Sequence, residues 1–352
     1  MYNRTVCQMM KAAVYGTAAF MHKNMIFHIN VLQSNEDMTV KLAWTSKNDC
    51  VTMHTMHCNE RRASGGSELH KLIVFLAALL FLLPASAEIY IDQEPPSDWA
   101  SRDLLRLTVF PAFQNDVFLM ECGGESMLID GGTAQYIQKV QEVLEKRGYG
   151  EHLNYIVNSH PHDDHIDCAA DLIRRGLSID LFMSPFPEDY GNPHHQTMVR
   201  YLQEKGFPYK QVMDGETIRL GSAEIDCFSW LEAVEVNARS MQMHVRFGNT
   251  TLLLNGDLTG KGEHHYLETL DPKHLESDIL KAPHHSLVHM VPEYLDTVNP
   301  KFVFLINEKN RAKKSENQLA KRNIPHMYNG DGTITMETDG VDWYISQVKG
   351  WN

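Results

Sequence analysis

The sequence predicts an α/β fold of two packed sheets with helices outside, and three observations carry that reading. From Asp98 onward, apolar β-runs alternate with amphipathic helical stretches. Adjacent β-runs recur in each half of this region, so each half has the strands for a sheet of its own. No Pro- or Ser-rich linker breaks the pattern. The composition suits a packed core, with 43% hydrophobic, 22% charged and 9% aromatic residues among 352. No apolar run reaches the ~20 residues that cross a bilayer, which excludes a multi-pass membrane protein. A net charge of −13 argues against a protein that coats nucleic acid by charge alone. The 19 histidines, many in short clusters, call for a chemical explanation.

Taken in order, Leu105 to Phe110, Val117 to Met120 and Ser126 to Ile129 read as strands, the last closing on Asp130-Gly131-Gly132. Ile137, Val140, Val143 and Leu144 share one helical face, and Gly148 is a good stop. Leu153 to Val157 is a short buried strand that ends at a histidine cluster. A helix (Cys168 to Arg175), a strand (Ile179 to Met183) and a helix from about His194 to Glu204 follow. The second half is richer in strands: Thr217 to Leu220, Ala223 to Phe228, Met241 to Phe247 and Thr250 to Leu254. Asp278 to Leu280 and Phe302 to Ile306 flank a helix near Val291 to Val298, and Thr333 to Thr338 and Trp343 to Val348 close the chain.

The region ahead of this pattern reads differently. Leu72 to Leu83 is an unbroken apolar run, preceded by His70-Lys71 and followed by Pro84-Ala85-Ser86-Ala87. A short basic flank, an h-region of this length and a small-x-small ending predict a secretory signal peptide over residues 70–87, cleaved after Ala87. A buried core helix and an uncleaved membrane anchor are the alternatives. The expected location is therefore periplasmic or extracellular, or held at a membrane by the uncleaved segment. Residues 1–69 show no clear hydrophobic period, and we expect a misassigned start or a disordered extension there. From Glu88 on, 40 acids face 24 bases, a net charge of −16. Cys122, Cys168 and Cys227 remain in that part. An odd count leaves at least one thiol unpaired. Without a C-x-x-C, the three read as small core residues.

The strongest local signal is Ser159-His160-Pro161-His162-Asp163-Asp164-His165, between a buried strand and a helix. Several uncompensated polar groups beside a core strand would be expensive. They become sensible around metal, because zinc takes imidazole and carboxylate ligands at ~2.0–2.2 Å. The bland reading is a solvated histidine-rich turn. Two more apolar strands end in polar clusters, one at Asn255-Gly256-Asp257 and one at Lys281-Ala282-Pro283-His284-His285-Ser286. A lone Gly-Asp is common in turns. The three clusters form one site if their strands are neighbours.

His160-x-His162-x-Asp164-His165 resembles the H-x-H-x-D-H signature of the metallo-β-lactamase fold superfamily. Within it, Val109 to Gly132 is similar to the opening strands of the hydrolase domain of ComEC-type competence proteins. Phe113-Gln114-Asn115-Asp116 matches two positions of that branch's G-Q-G-D. LLLNGDL resembles its L-L-T-G-D-L, and LKAPHHS its L-K-x-x-H-H-G-S, with the glycine before Ser286 missing. The resemblance implies an αββα four-layer sandwich over residues 98–350 with a two-metal site at one edge. It places His160 and His162 on the first metal, Asp164 and His165 on the second, and Asp257 on both. The last ligand would be His284 or His285, with His284 favoured as nearer the strand end. His194, His195 and His244 are the candidates for a further histidine of the kind many superfamily members carry.

The expected cofactors are two divalent ions, zinc first and manganese as the alternative, since both suit N/O ligands. Coordination lowers the pKa of bound water to around 7, so a metal-bound hydroxide would be the nucleophile. Asp164 would orient it and handle its proton. Asp130 and Asp163 are candidate acceptors for imidazole N–H groups, with a turn or cap role equally open. Six bases between Lys309 and Arg322, Lys313 and Lys314 among them, could hold a phosphate-bearing substrate, although a solvated helix face is the plainer reading. Ser286 could touch substrate or simply fill a turn. The expected function is thus an exported metal-dependent phosphodiester hydrolase. Its acidity disfavours long nucleic acid and favours a nucleotide, an oligonucleotide or a cell-wall phosphodiester. A lactonase or β-lactamase, and a non-catalytic metal-binding domain, are the rivals. No obligate protein partner is indicated.

Overall fold

The computed structural model describes residues 86–352, together with the backbone of four strands nearer the N-terminus. The chain divides into two compact units, Met1–Pro84 and Ala85–Asn352. In the first, β1 (Thr17–His22), β2 (Met25–Gln33), β3 (Asp37–Ser46) and β4 (Thr52–Asn59) pair antiparallel in consecutive order. Sequence patterning had offered no elements in this stretch. The expected signal segment lies outside the described residues as far as position 85.

In chain order the second unit begins with β5 (Ile89–Ile91), β6 (Leu105–Val109), β7 (Val117–Cys122), β8 (Glu125–Asp130) and α1 (Ile137–Lys146). There follow β9 (His152–Val157), α2 (Asp163–Arg175), β10 (Ser178–Ser184), α3 (Pro193–Lys205) and β11 (Tyr209–Gln211). The second half has β12 (Glu216–Leu220), β13 (Ala223–Phe228), β14 (Gln242–Phe247), β15 (Thr250–Leu254) and α4 (Gly260–Thr269). It ends with β16 (Ile279–Lys281), α5 (Pro292–Val298), β17 (Phe302–Leu305), α6 (Lys313–Lys321), β18 (His326–Tyr328), β19 (Thr333–Thr338) and β20 (Trp343–Val348).

Two sheets result. One has the order β11-β10-β9-β8-β7-β6-β19-β20-β5, the other β12-β13-β14-β15-β16-β17-β18. Strands β8 to β11 are parallel, and so are β15 to β18. Parallel neighbours need crossovers. Helices α1, α2 and α3 supply them for the first sheet and α4, α5 and α6 for the second. Three apolar cores show the layering. Leu107, Phe118 and Ile129 of one sheet meet Ile225, Val245 and Phe304 of the other between the sheets. Val140, Ile173 and Leu202 pack under α1 to α3, and Tyr266, Leu295 and Leu319 under α4 to α6. The architecture is the expected αββα sandwich.

The topology also explains where polar side chains collect. Within each parallel set all carboxyl ends lie at one edge, and the Asp130, Asn158 to Asp164, Asn255 to Asp257 and Ala282 to Ser286 segments leave strands there. Cys122, Cys168 and Cys227 are all buried and free, and burial pushes the Cys168 and Cys227 thiols up to about 12. They are core residues. One correction matters for the site: α2 begins at Asp163 and not near Cys168, so Asp163, Asp164 and His165 occupy its first turn. Helix α4, weakly periodic with two glycines and two histidines, had no sequence signal.

Glu263 of α4 is buried, with Oε2 accepting the Val291 N–H at 2.5 Å and Oε1 unpaired. Burial pushes this carboxyl from the ordinary 4.5 up to about 7. The folded chain therefore holds the proton more tightly than the unfolded chain does. The stability this proton contributes is complete below the unfolded value and is lost as pH rises through about 7. Glu263→Gln should remove a loss on the order of 3 kcal/mol between pH 5 and 8. Thermal melts at the two pH values check it: the variant's advantage must appear at pH 8 and shrink at pH 5.

Candidate metal centre

The loop after β9 and the first turn of α2 bring His160, His162, Asp164 and His165 to the edge where the second sheet delivers Asp257 and His285. Asp130, at the end of β8, fixes the first of these segments. Its Oδ1 accepts from Asn158 Nδ2 at 2.9 Å and from the Ser159 N–H at 2.7 Å. Its Oδ2 accepts from Ser159 Oγ at 2.7 Å and lies 2.8 Å from His165 Nδ1. That contact makes Nδ1 the N–H of His165 and aims Nε2, which is otherwise unpaired, at Asp257 Oδ1 3.3 Å away. His160 is fully buried, with Nδ1 against Ser159 Oγ at 3.2 Å and Nε2 3.0 Å from His162 Nδ1.

The second sheet's contribution depends on an unusual turn. His284, His285 and Ser286 have φ of 47°, 48° and 63°, three successive left-handed residues without a glycine. Each costs of order 1 kcal/mol or more and persists only where its surroundings enforce it. Asn307 Nδ2 donates to His285 O at 2.9 Å and Ser315 Oγ to Ser286 O at 3.0 Å, while Ser286 Oγ accepts from the Ile306 N–H at 3.1 Å. So held, His285 turns inward. Its Nε2 lies 3.0 Å from both Asp164 Oδ2 and Asp257 Oδ2, and its Nδ1 is 3.3 Å from Asp116 Oδ1. Atoms of Asp164, His165, Asp257 and His285 all fall within 4.8 Å of one another.

Beneath them lies a group the sequence had not assigned. Lys281, fully buried, sits 2.5 Å from Asp116 Oδ2, donates to Gly256 O at 2.5 Å and is 3.6 Å from Asp257 Oδ1. Burial alone would discharge the ammonium, but Asp116 and Asp257 outweigh it and hold it charged.

The electrostatics fit a cationic centre. Burial opposes ionisation of Asp257, yet His285 and His165 outweigh it and hold the carboxyl well below the usual range. Burial likewise opposes charge on His165, but Asp257 and Asp130 push it up to about 10. Positive charge is thus required among these carboxylates, as protons on His165 and His285 or as cations in their place. His160 is kept neutral, pushed well below its ordinary value by burial and then by His165. Buried neutral imidazole, unpaired imidazole nitrogens and converging carboxylates are a donor set suited to divalent metal.

Residues 110–289 match the model of the metallo-beta-lactamase superfamily. The chain belongs to that superfamily. Among solved structures it is similar to CmlA, a diiron beta-hydroxylase from Streptomyces venezuelae, at 14% identity, covering 85% of this chain and 69% of that one with a TM-score of 0.46. A diphosphatase from the PhnP family matches at 14% identity over 66% of this chain and 98% of that one, TM-score 0.41. The rubredoxin:oxygen oxidoreductase of Desulfovibrio gigas matches at 14% over 69% and 55%, TM-score 0.33. A comparison with curated proteins finds no match.

Several superfamily positions sit differently from the sequence expectation. His285, not the favoured His284, joins the buried group. His284 stays partly exposed, 3.9 Å from Asp257 Oδ2 and 3.4 Å from Asn237 Nδ2. Ser286 is buried with its hydroxyl on Ile306, so it is a strut of the turn and cannot touch substrate. Asp163 is exposed in the first turn of α2 and takes no imidazole hydrogen bond among the described residues, whereas Asp130 does. None of the extra histidine candidates joins the group: His194 pairs with Asp167 at 2.7 Å, His195 meets Pro187 O at 3.0 Å, and His244 meets Glu276 O at 3.1 Å. Lys313 and Lys314 are exposed at the start of α6.

Proposed function

We propose that this chain is an exported metal-dependent phosphodiesterase of the ComEC-type branch, acting on small or terminal phosphodiesters. The observation that carries the metal-dependent part is Asp257, a buried carboxylate shared between His165 and His285 at the meeting edge of the two sheets. His160 and His162 would hold one cation, Asp164, His165 and His285 a second, and Asp257 both. Two divalent cations, zinc or manganese, supply Lewis acidity and water activation at neutral pH.

The chain's own residues do the remainder. Asp164, with 29% of its side chain exposed, is the carboxylate of the group that solvent and substrate can reach, and it accepts and returns the proton of the attacking water. Asp130 locks the His165 tautomer and orientation. The phosphodiester part rests on the ComEC-type resemblance and on the basic patch. Arg311 lies over the Phe113 ring at 5.0 Å, and Lys313 and Lys314 precede Ser315, whose hydroxyl is tied to the His284–Ser286 turn. The start of α6, with its exposed lysines, is thereby tied to the segment that carries His285, and these cations would hold a phosphate-bearing substrate.

The test uses the full chain loaded with zinc or manganese and bis-p-nitrophenyl phosphate as substrate, with His162→Ala alongside. We expect metal-dependent release of p-nitrophenol and a fall of about 10³-fold in the variant. No turnover by the metal-loaded protein would overturn the phosphodiester reading and bring lactones and other esters forward.

A further inference from the structure

A second set of metal-type donors lies on the outer face of the second sheet. Asp226 of β13 and His244 of β14 are register partners. Their strand neighbours Ile225, Cys227, Met243 and Val245 fill the core between the sheets, so Asp226 and His244 face outward. His274 closes the short Pro272–His274 turn between α4 and β16. An oxygen of Asp226 and one ring nitrogen from each histidine lie within 4.8 Å of one another. We propose that Asp226, His244 and His274 form a zinc site that clamps the turn leading into β16 onto β13 and β14.

The hydrogen bonding of His244 points this way. Its Nε2 lies 3.1 Å from Glu276 O, and a carbonyl only accepts, so Nε2 carries the hydrogen and the neutral ring has its lone pair on Nδ1. That Nδ1 is buried without a partner. Burial pushes His244 below its ordinary value, which keeps the ring neutral. A ligating histidine commonly donates its other N–H to a backbone carbonyl in this manner. His274 Nδ1 is also buried and unpaired, 3.7 Å from Asp226 Oδ2. Two orphaned imidazole nitrogens, one of them 3.7 Å from Asp226 Oδ2, are costly as they stand, and with the carboxylate they are donors of the kind zinc takes. His274 keeps 28% of its side chain exposed, which leaves an approach for the ion and for water as the fourth ligand.

Arg246 is the competitor. Its Nε and NH2 groups lie 3.0 and 3.2 Å from Asp226, while Thr217 Oγ1 donates to Oδ1 at 2.6 Å. The guanidinium also reaches Glu224 at 3.0 Å and its side chain is 42% exposed, so it retains a partner on swinging aside. Zinc and Arg246 thus contend for one carboxylate.

The test strips the full chain with chelator, equilibrates it with zinc, removes free metal and counts bound zinc per chain. His274→Asn and Asp226→Asn should each bind one zinc fewer than the parent, and Arg246→Gln should hold that zinc about tenfold more tightly. Zinc should also raise the melting temperature of the parent more than that of His274→Asn. His274 stands partly exposed on a short turn, so its replacement leaves the fold intact. The readout is a difference of one zinc between two proteins, so it stands whether or not the phosphodiesterase reading survives. Equal zinc content in the parent and His274→Asn would overturn the proposal.

Discussion

Asp257→Asn is expected to abolish metal-dependent hydrolysis, with a loss of about 10⁴-fold or more, and to empty the centre of cations. The size of the effect follows from its position. Asp257 is buried, and its two oxygens face different partners, Oδ1 toward His165 at 3.3 Å and Oδ2 toward His285 at 3.0 Å. An amide keeps the volume but removes the charge that both imidazoles are arranged around. Replacing a group that acts as part of one unit costs nearly the whole function of the unit. His284→Ala is the contrast: His284 is partly exposed and 3.9 Å from the same carboxylate, so it should keep the parent's metal content and lose about tenfold in rate at most. Steady-state rates together with metal analysis of both variants check this. Asp257→Asn retaining its metal, or a rate within tenfold of the parent, would refute the assignment of Asp257 to both cations.

The fold was legible because apolar β-runs bounded by turns recur along the chain, and because parallel sets of strands leave their helices in sequence between them. The site was legible where its chemistry is concentrated in a few consecutive positions, as in His160 to His165. It was less legible where geometry decides. Sequence proximity to the end of β16 favoured His284, but three left-handed residues rotate the chain so that His285 points inward. The hydrogen bonds that enforce that turn come from Asn307 and Ser315, too far along the chain for local pattern to register. Sequence gives Lys281 no role, because a lysine closing an apolar run reads as a strand end. Its signal is its place at the lysine of the L-K-x-x-H-H pattern, directly after an apolar strand. Asp116 matched a motif position, but its role appears only once β7 and β16 are brought to the same depth. By sequence His244 is a candidate ligand for the main centre, but the alternation of β14 turns it away from the core face of the sheet.

The buried pair Asp116–Lys281 supports the second large prediction, which concerns stability and metal affinity together. Lys281→Met leaves Asp116 ionised in the core with only its imidazole neighbours to answer it. Breaking one half of a buried ion pair costs about 3–5 kcal/mol, or a fall on the order of 10 °C in melting temperature for a unit of this size. The double variant Asp116→Asn, Lys281→Met removes both charges and fills the volume with a neutral amide and an apolar chain. It should recover most of the lost stability, since a buried pair replaced as a whole is often neutral in cost. It should not recover the centre. Asp116 Oδ1 lies 3.3 Å from His285 Nδ1, and an imidazole partnered by a carboxylate is a stronger ligand than one facing an amide. Zinc affinity should therefore stay about tenfold below the parent's while the melting temperature returns. Melts and zinc titrations of the single and double variants separate the two contributions. A single variant as stable as the parent would show that the ion pair does not hold this edge together. A double variant with full zinc affinity would show that Asp116 serves only to neutralise Lys281.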